Sequence, residues 1–413
     1  MLLAGLIPAG PAAAQVVILH SFAGGTADGQ TPFGSLMQSG PTFYGMAEAG
    51  GTTADGTIFR LNSDGTGYGL LHSFVGGVDD GQNPTGSLTQ SGSAFFGTTV
   101  GGGNGNNGTV FTVNGDASGF GLVRRFAGPP GDGSSPFGSL VQAGPALYGM
   151  TGTGGAANLG TVFKVNGDGS GYAVLHSFAG GAADGQHPRY GSLVQSGSTF
   201  YGMTQGGGAA GDGVVFKVNG DGTGFAVLHS FDFTTLDGSD PLGSLVLSGS
   251  TLYGMTAFGG ATLNGTIFKM NTNGAGYSIL HSFAGGPADG SGPQGSLTLS
   301  GSTLYGMTAT GGAANDGTIF QLLTDGTGYQ VLHSFAGGPA DGANPEGDLL
   351  LSGSSLYGMT SVGGANNLGV VFSFPVPIPE PSTILPTAAG GGFAVLLARR
   401  RSNPSAASGG RGG

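Results

Sequence analysis

The phenylalanine of a recurring His-Ser-Phe triplet, with Arg-Arg-Phe in its third copy, stands at Phe22, Phe74, Phe126, Phe178, Phe231, Phe283 and Phe335, with gaps of 52, 52, 52, 53, 52 and 52 residues. Six residues after each phenylalanine stands an aspartate: Asp28, Asp80, Asp132, Asp184, Asp237, Asp289 and Asp341. Ten after each stands a proline, from Pro32 to Pro345, so the single extra residue falls just beyond Pro188, at Arg189-Tyr190. So strict a period demands a repeat architecture, in which one supersecondary unit buries its apolar face by stacking on its neighbours.

Each unit holds four strand-like runs. In the fifth they are residues 243–247, 251–256, 265–270 and 277–283, separated by Ser-Gly, Gly-Gly-Ala and Asn-Gly steps that supply the positive φ hairpins need. In the fourth unit Phe225, Val227, His229 and Phe231 alternate with Ala226, Leu228 and Ser230, the period of a strand. Four antiparallel strands repeated radially predict an all-β, seven-bladed β-propeller over residues 16–374. The alternative is a parallel β-solenoid, whose rungs are usually shorter than fifty-two residues. Six units carry a Gly-Tyr/Phe lead into the fourth strand, at Tyr68, Phe120, Tyr172, Phe225, Tyr277 and Tyr329, whereas the chain's last unit stops after Val370-Val371-Phe372. The run from Val16 to His20 is therefore expected to supply the missing strand and close the last blade, removing two exposed sheet edges.

Composition narrows function. Glycine, at 92 of 413 residues, is far above the usual share, but without a strict three-residue period it does not indicate collagen. The net charge is −11 and the only lysines are Lys164, Lys217 and Lys269, too few for the basic stripe that nucleic acid requires. With no cysteine there is no disulfide, thiolate metal site or cysteine nucleophile.

Both ends read as export signals. Leu2 to Ala9 is apolar and Ala12-Ala13-Ala14 precedes Gln15, so residues 1–14 resemble the back half of a secretory signal; its basic start is missing and the true start is expected upstream. At the other end a proline-rich linker, residues 375–381, carries Pro379-Glu380-Pro381. A short apolar segment and Arg399-Arg400-Arg401 fill residues 382–401, and residues 402–413 read as a disordered tail. The arginines favour a cytoplasmic C-terminus, opposite the repeats. This end resembles the PEP-CTERM sorting signal, which implies an exosortase at the inner membrane as partner, cleavage near Pro379-Glu380-Pro381, and delivery to the cell surface or extracellular matrix; the alternative is an uncleaved anchor. The recurring Gly-Ser-Leu, Leu-Tyr-Gly-Met-Thr and Gly-Thr-Ile/Val-Phe-Lys segments resemble the GloVer (Gloeo/Verruco) tandem-repeat family across residues 16–374. That resemblance implies a propeller-like, envelope-exposed protein and carries no catalytic residues with it.

Six histidines, His20, His72, His176, His229, His281 and His333, share one repeat position, filled by Arg124 in the third unit. Sevenfold-related positions at that radius lie too far apart to share a metal ion, so hydrogen bonding between blades is expected instead. Fifteen of the 22 acidic residues sit at repeated turn positions, one carboxylate to a loop, which Asx turns explain without calcium. No metal or cofactor is therefore expected. A unique site must instead break the repeat. The departures are Glu48, Asp79, Arg124, Arg125, His187, Arg189, Tyr190, Asp232, Asp240, Glu346 and Asp348, dispersed along the chain with no evident acid–base pair. His187, Arg189 and Tyr190 form the densest group and are the candidate ligand loop; the alternative is a variable surface loop beside an insertion. The expectation is a monomeric, non-enzymatic surface or matrix protein whose propeller binds extracellular polysaccharide or a surface protein. A lectin-like propeller with several equivalent pockets lined by the repeated Tyr and Asp is a second reading. A hydrolase or lyase, with one polar cluster of non-repeat residues at one end of the channel, is a third.

Overall fold

A computed structural model of the protein describes residues 15–376, and both sorting segments, including Pro379, Glu380, Pro381 and Arg399 to Arg401, lie outside them. The described chain forms seven four-stranded antiparallel sheets. The first blade contains Met37–Ser39, Thr42–Ala47, Thr57–Asn62 and Gly69–Ser73, from the axis outwards, and five more blades repeat that order. In the seventh, Leu350–Ser352, Ser355–Thr360 and Val370–Pro375 are completed by the N-terminal strand Val17–Ser21, which pairs antiparallel with Val370–Pro375. The propeller is closed as expected, and a solenoid is excluded.

The apolar cores lie between blades. One joins Tyr201, Met203 and Val215 of the fourth blade to Leu245, Leu252 and Phe268 of the fifth, and another joins Met359 and Val371 of the seventh to Leu36, Phe43 and Phe59 of the first. Each blade has two apolar faces and no core of its own, so the ring is what buries them. The phenylalanines that mark the repeat, from Phe22 to Phe335, are fully buried at these junctions.

Two features depart from the sequence reading. The fourth strand does not alternate simply: a β-bulge lies at the residue before the histidine in six blades and before Arg124 in the second, as where Phe216 faces Val227 but Val215 faces His229, leaving Leu228 unpaired. The bulge turns the histidine onto the opposite sheet face from Val227, toward the next blade. Each unit also has a two-residue ribbon in addition to its four strands, such as Gly29–Gln30 against Ala49–Gly50. At its base the Glu48 N–H donates to the Thr31 carbonyl at 3.2 Å. Among the described residues no helix is long and apolar enough to cross a membrane.

Candidate functional site at the channel mouth

At the axis the repeated Gly-Ser step closes into a belt. The Ser35 N–H donates to Ser87 Oγ at 2.7 Å, Ser87 N–H to Ser139 Oγ at 2.7 Å, and Ser139 N–H to Ser192 Oγ at 3.2 Å. Ser192 and Ser244 continue it at 2.7 Å each, the Ser296 N–H donates to the Asp348 carboxylate at 2.5 Å, and the Asp348 N–H returns to Ser35 Oγ at 2.7 Å. Glycine must precede each of these residues because the blades touch there: a Cβ on Gly138 would lie 2.0 Å from the Gly191 carbonyl oxygen, and one on Gly34 2.1 Å from that of Gly86. The belt encloses a cavity of about 30 Å³, room for one or two waters. Asp348 replaces a serine in it, and burial raises its carboxyl against the opposing hydrogen bonds of Ser296 and Ser35.

Directly before each belt glycine stands a residue that differs from copy to copy: Phe33, Thr85, Phe137, Tyr190, Leu242, Gln294 and Glu346. Five of them, Phe33, Thr85, Tyr190, Gln294 and Glu346, line the same cavity as the belt, at its mouth. The inserted residue gives the fourth blade a different backbone here. The Gly191 N–H donates to the Arg189 carbonyl at 2.6 Å, closing a γ-turn around Tyr190, whose φ of 60° is left-handed. No other residue at this rim position has a left-handed φ, and such strain persists only where surrounding contacts impose it.

The mouth is chemically polarised. Glu346 stands on the seventh blade and Glu48 on the first, and the Glu48 charge opposes ionisation of Glu346. Burial, reinforced by the Glu48 charge and only partly offset by Ser361, pushes the Glu346 carboxyl up to about 7, and burial also raises that of Glu48. Ser361 Oγ donates to Glu346 Oε1 at 3.4 Å, while Oε2 is buried without a hydrogen-bond partner. On the third and fourth blades Arg189 lies over the Phe137 ring, 5.5 Å from its centroid, and its Nε is likewise buried without a partner. Tyr190 lies between the two sides. Its ring is 5.3 Å from Phe137 and 6.3 Å from Phe33; burial raises its phenol, Arg189 opposes that, and Glu48 and Glu346 add to it.

The structure therefore sorts the departures from the repeat. Tyr190 lines the mouth and Arg189 lies over Phe137 beside it, whereas His187 braces two blades through Nδ1–H to the Gly152 carbonyl at 2.9 Å. Glu346 and Asp348, from the seventh unit, line the same axial cavity as Tyr190, from the fourth. Asp79 pairs with Arg125 at 3.0 Å in an exposed bridge, and Asp232 caps a short turn at Phe233–Thr235. A signal for Glu346 was present in the sequence: a position that varies in all but two copies beside a glycine that never does.

The repeated polar residues are occupied with one another. His229 hydrogen-bonds Asp237 at 2.8 Å and stacks on Tyr277 of the next blade with centroids 3.8 Å apart, while the Tyr277 hydroxyl donates to Asp237. The other five histidines make the same bond to their aspartates, and Arg124 substitutes through Asp132 at 2.5 Å and the face of Tyr172 at 3.7 Å. Asp64, Asp116, Asp168, Asp221 and Asp325 accept from the N–H two residues on, as Asx turns do. Among the described residues no three His, Asp or Glu side chains gather as metal ligands.

Fold and mouth together define a seven-bladed propeller with one asymmetric polar site on its axis. The chain belongs to the Gloeobacter/Verrucomicrobia repeat family, which matches residues 6–152, 130–306 and 264–383. No curated protein matches it. Among solved structures it is similar to an oligogalacturonate lyase from Vibrio parahaemolyticus, with 13% identity over 88% of this chain and 94% of that one and a TM-score of 0.53. It is also similar to a putative 6-phosphogluconolactonase from Bacteroides uniformis, with 16% identity over 83% and 97% and a TM-score of 0.52. At such identities the likeness is one of fold alone.

Proposed function

We propose that the protein is a non-enzymatic binding module of the cell surface or matrix, holding one polar ligand, a glycan end, at the mouth of its channel. The observation that carries this is that Tyr190, Glu346 and Asp348, which break the repeat, line one cavity on the axis, with Arg189 next to Tyr190 and over Phe137. Glu346 gives that mouth a polar side and the Tyr190 ring, near Phe33, an apolar one, the mixture a small polar ligand needs. A lectin with several equivalent pockets is disfavoured, because the repeated Tyr and Asp side chains bond each other between blades at four junctions. A second reading, a hydrolase or lyase, draws on Glu346, whose carboxyl near neutrality suits a general acid or base. Export and exosortase sorting through Pro379-Glu380-Pro381 complete the proposal and rest on the sequence of that segment.

The test is calorimetric titration of the full chain with neutral, acidic and amino oligosaccharides, followed by product analysis. One site per chain, lost in Arg189→Ala and with no product formed, is the expected result. Several sites per chain, binding indifferent to Arg189, or turnover would overturn it. For sorting, replacing Pro379, Glu380 and Pro381 by alanine should leave the protein longer and membrane-associated on fractionation; unchanged mass and location would refute that part.

A further inference from the structure

The ring has two unlike ends. The belt, the mouth, the ribbons and their loops stand at one end of the strands, and the Ser-Gly and Asp-Gly turns stand at the other. The chain leaves the ring at the turn end: Val370–Pro375 runs toward it, and the Val376 N–H donates to the Ser354 carbonyl at 2.9 Å, as Thr324 does to Ser302 in the sixth blade. Charge is divided as sharply. Of the 21 carboxylates among the described residues, only Asp64, Asp116, Asp168, Asp221 and Asp325 stand at the turn end, and the other 16 stand at the ribbon end. Of the seven described lysines and arginines, Arg124, Arg125 and Arg189 are at the ribbon end. Arg60, Lys164, Lys217 and Lys269 share a position near the turn end of the third strand, from which Arg60 and Lys164 reach the turn carbonyls of Gly115 and Gly220 on the next blade, at 3.4 Å each. The formal excess of negative charge is therefore thirteen at the ribbon end and one at the turn end. An anionic lipid surface repels the first and is nearly indifferent to the second.

Resting on the reading of residues 382–401 as a membrane segment, we propose that the turn end of the ring is the face laid against the lipid headgroups, so that the channel mouth opens away from the membrane. Five residues, 377–381, separate Val376 from the apolar segment that begins at Ser382, and they span about 18 Å at most. The strand Val370–Pro375 rises about 3.3 Å per residue, so its exit stands roughly 17 Å from its ribbon-end start, and the ribbon loops lie beyond that. A ring set ribbon end down would leave so short a linker no slack. The exposed Phe258 and Leu263 give the ribbon end some attraction for lipid, but they sit among its sixteen carboxylates and out of the linker's reach.

The experiment is reconstitution of the full chain in vesicles of phosphatidylcholine and phosphatidylglycerol that carry a quencher on their headgroups. The chain has no cysteine, so single-cysteine variants take one fluorophore each. Ser198→Cys and Ser302→Cys mark the turn end on the fourth and sixth blades, and Thr26→Cys and Ala288→Cys mark exposed loops of the ribbon end. Melting curves matching that of the native chain show that the labels leave the ring intact. The two turn-end labels are expected to lose most of their fluorescence and the two ribbon-end labels to keep theirs. Equal quenching of all four, or quenching at Thr26 without quenching at Ser198, would set the ring on edge and overturn the proposal. Stronger quenching at Thr26 and Ala288 would put the mouth against the lipid and overturn it too. A chain that stays out of the vesicle fraction overturns the membrane reading of residues 382–401 and this proposal with it, whereas glycan binding at the mouth is decided separately by the titration above.

Discussion

The belt makes a sharp prediction about glycine. In Gly138→Ala the new Cβ would lie 2.0 Å from the Gly191 carbonyl oxygen, where real Cβ contacts essentially never fall below 3.0 Å, so the third and fourth blades must part by about 1 Å at the axis. That separation also strains the Ser139–Ser192 link, at 3.2 Å already the longest in the belt. Overpacking of this kind costs about 1–3 kcal/mol, and the lost hydrogen bond about 1 kcal/mol more. Alanine's smaller loss of unfolded-state entropy returns roughly 0.4–1 kcal/mol. The net is a destabilisation of about 2–3 kcal/mol. An unfolding entropy of about 2.1 cal/mol/K per residue over residues 15–376 makes this a fall of roughly 3–4 °C in Tm. Gly121→Ala is the matched control, since Gly121 has ordinary φ and a Cβ there meets nothing within 4 Å; it should melt as the native protein does or slightly higher. Calorimetric scans of the three proteins decide it. If Gly138→Ala and Gly121→Ala melt together, the blades do not rely on contact at the axis and the account of the belt is wrong.

Two further predictions concern pH. Burial alone would raise the carboxyls of Asp28, Asp132, Asp237 and Asp289, but bonds from His20, Tyr172, His229 and His281, with others, hold them below the usual range. Folded values below unfolded ones mean stability that is present above about pH 4 and lost as pH falls further, so denaturant midpoints should drop steeply below that point; a flat profile from pH 5 to 3 would contradict the inter-blade role of these bonds. Glu346 has the opposite sign: its raised carboxyl costs the fold nothing below pH 4.5 and most above pH 7. A rise from 4.5 to about 7 corresponds to roughly 3 kcal/mol, so Glu346→Gln should match the native protein at pH 4 and exceed its stability at pH 8. Equal stability at both pH values would show that Glu346 is not desolvated.

How much was legible in advance depends on radius from the axis. The closing strand Val17–Ser21 could be foreseen by counting Tyr/Phe leads against phenylalanines, because strand count is a local tally. The inter-blade role of His229 could be foreseen too, since Arg124 at the same position in the third unit removes any need for an imidazole ligand. The bulge at Leu228 could not be foreseen, because the apolar and polar pattern is the same with or without it. Nor could the seven ribbons, whose strands are only two residues long and each contain glycine.

The site shows the same division. Sequence alone determined seven equivalent units, the closure, and which residues break the repeat, because a repeat makes every exception visible. Only the tertiary structure decided which exceptions meet. Glu48 and Glu346 are 298 positions apart in the chain, yet closure seats them on adjacent blades. Residues before the belt glycines become neighbours because the ring is narrow there, and the histidines stay apart because it is wide where they stand. Distance from the axis is a property of the closed ring, and no local pattern encodes it.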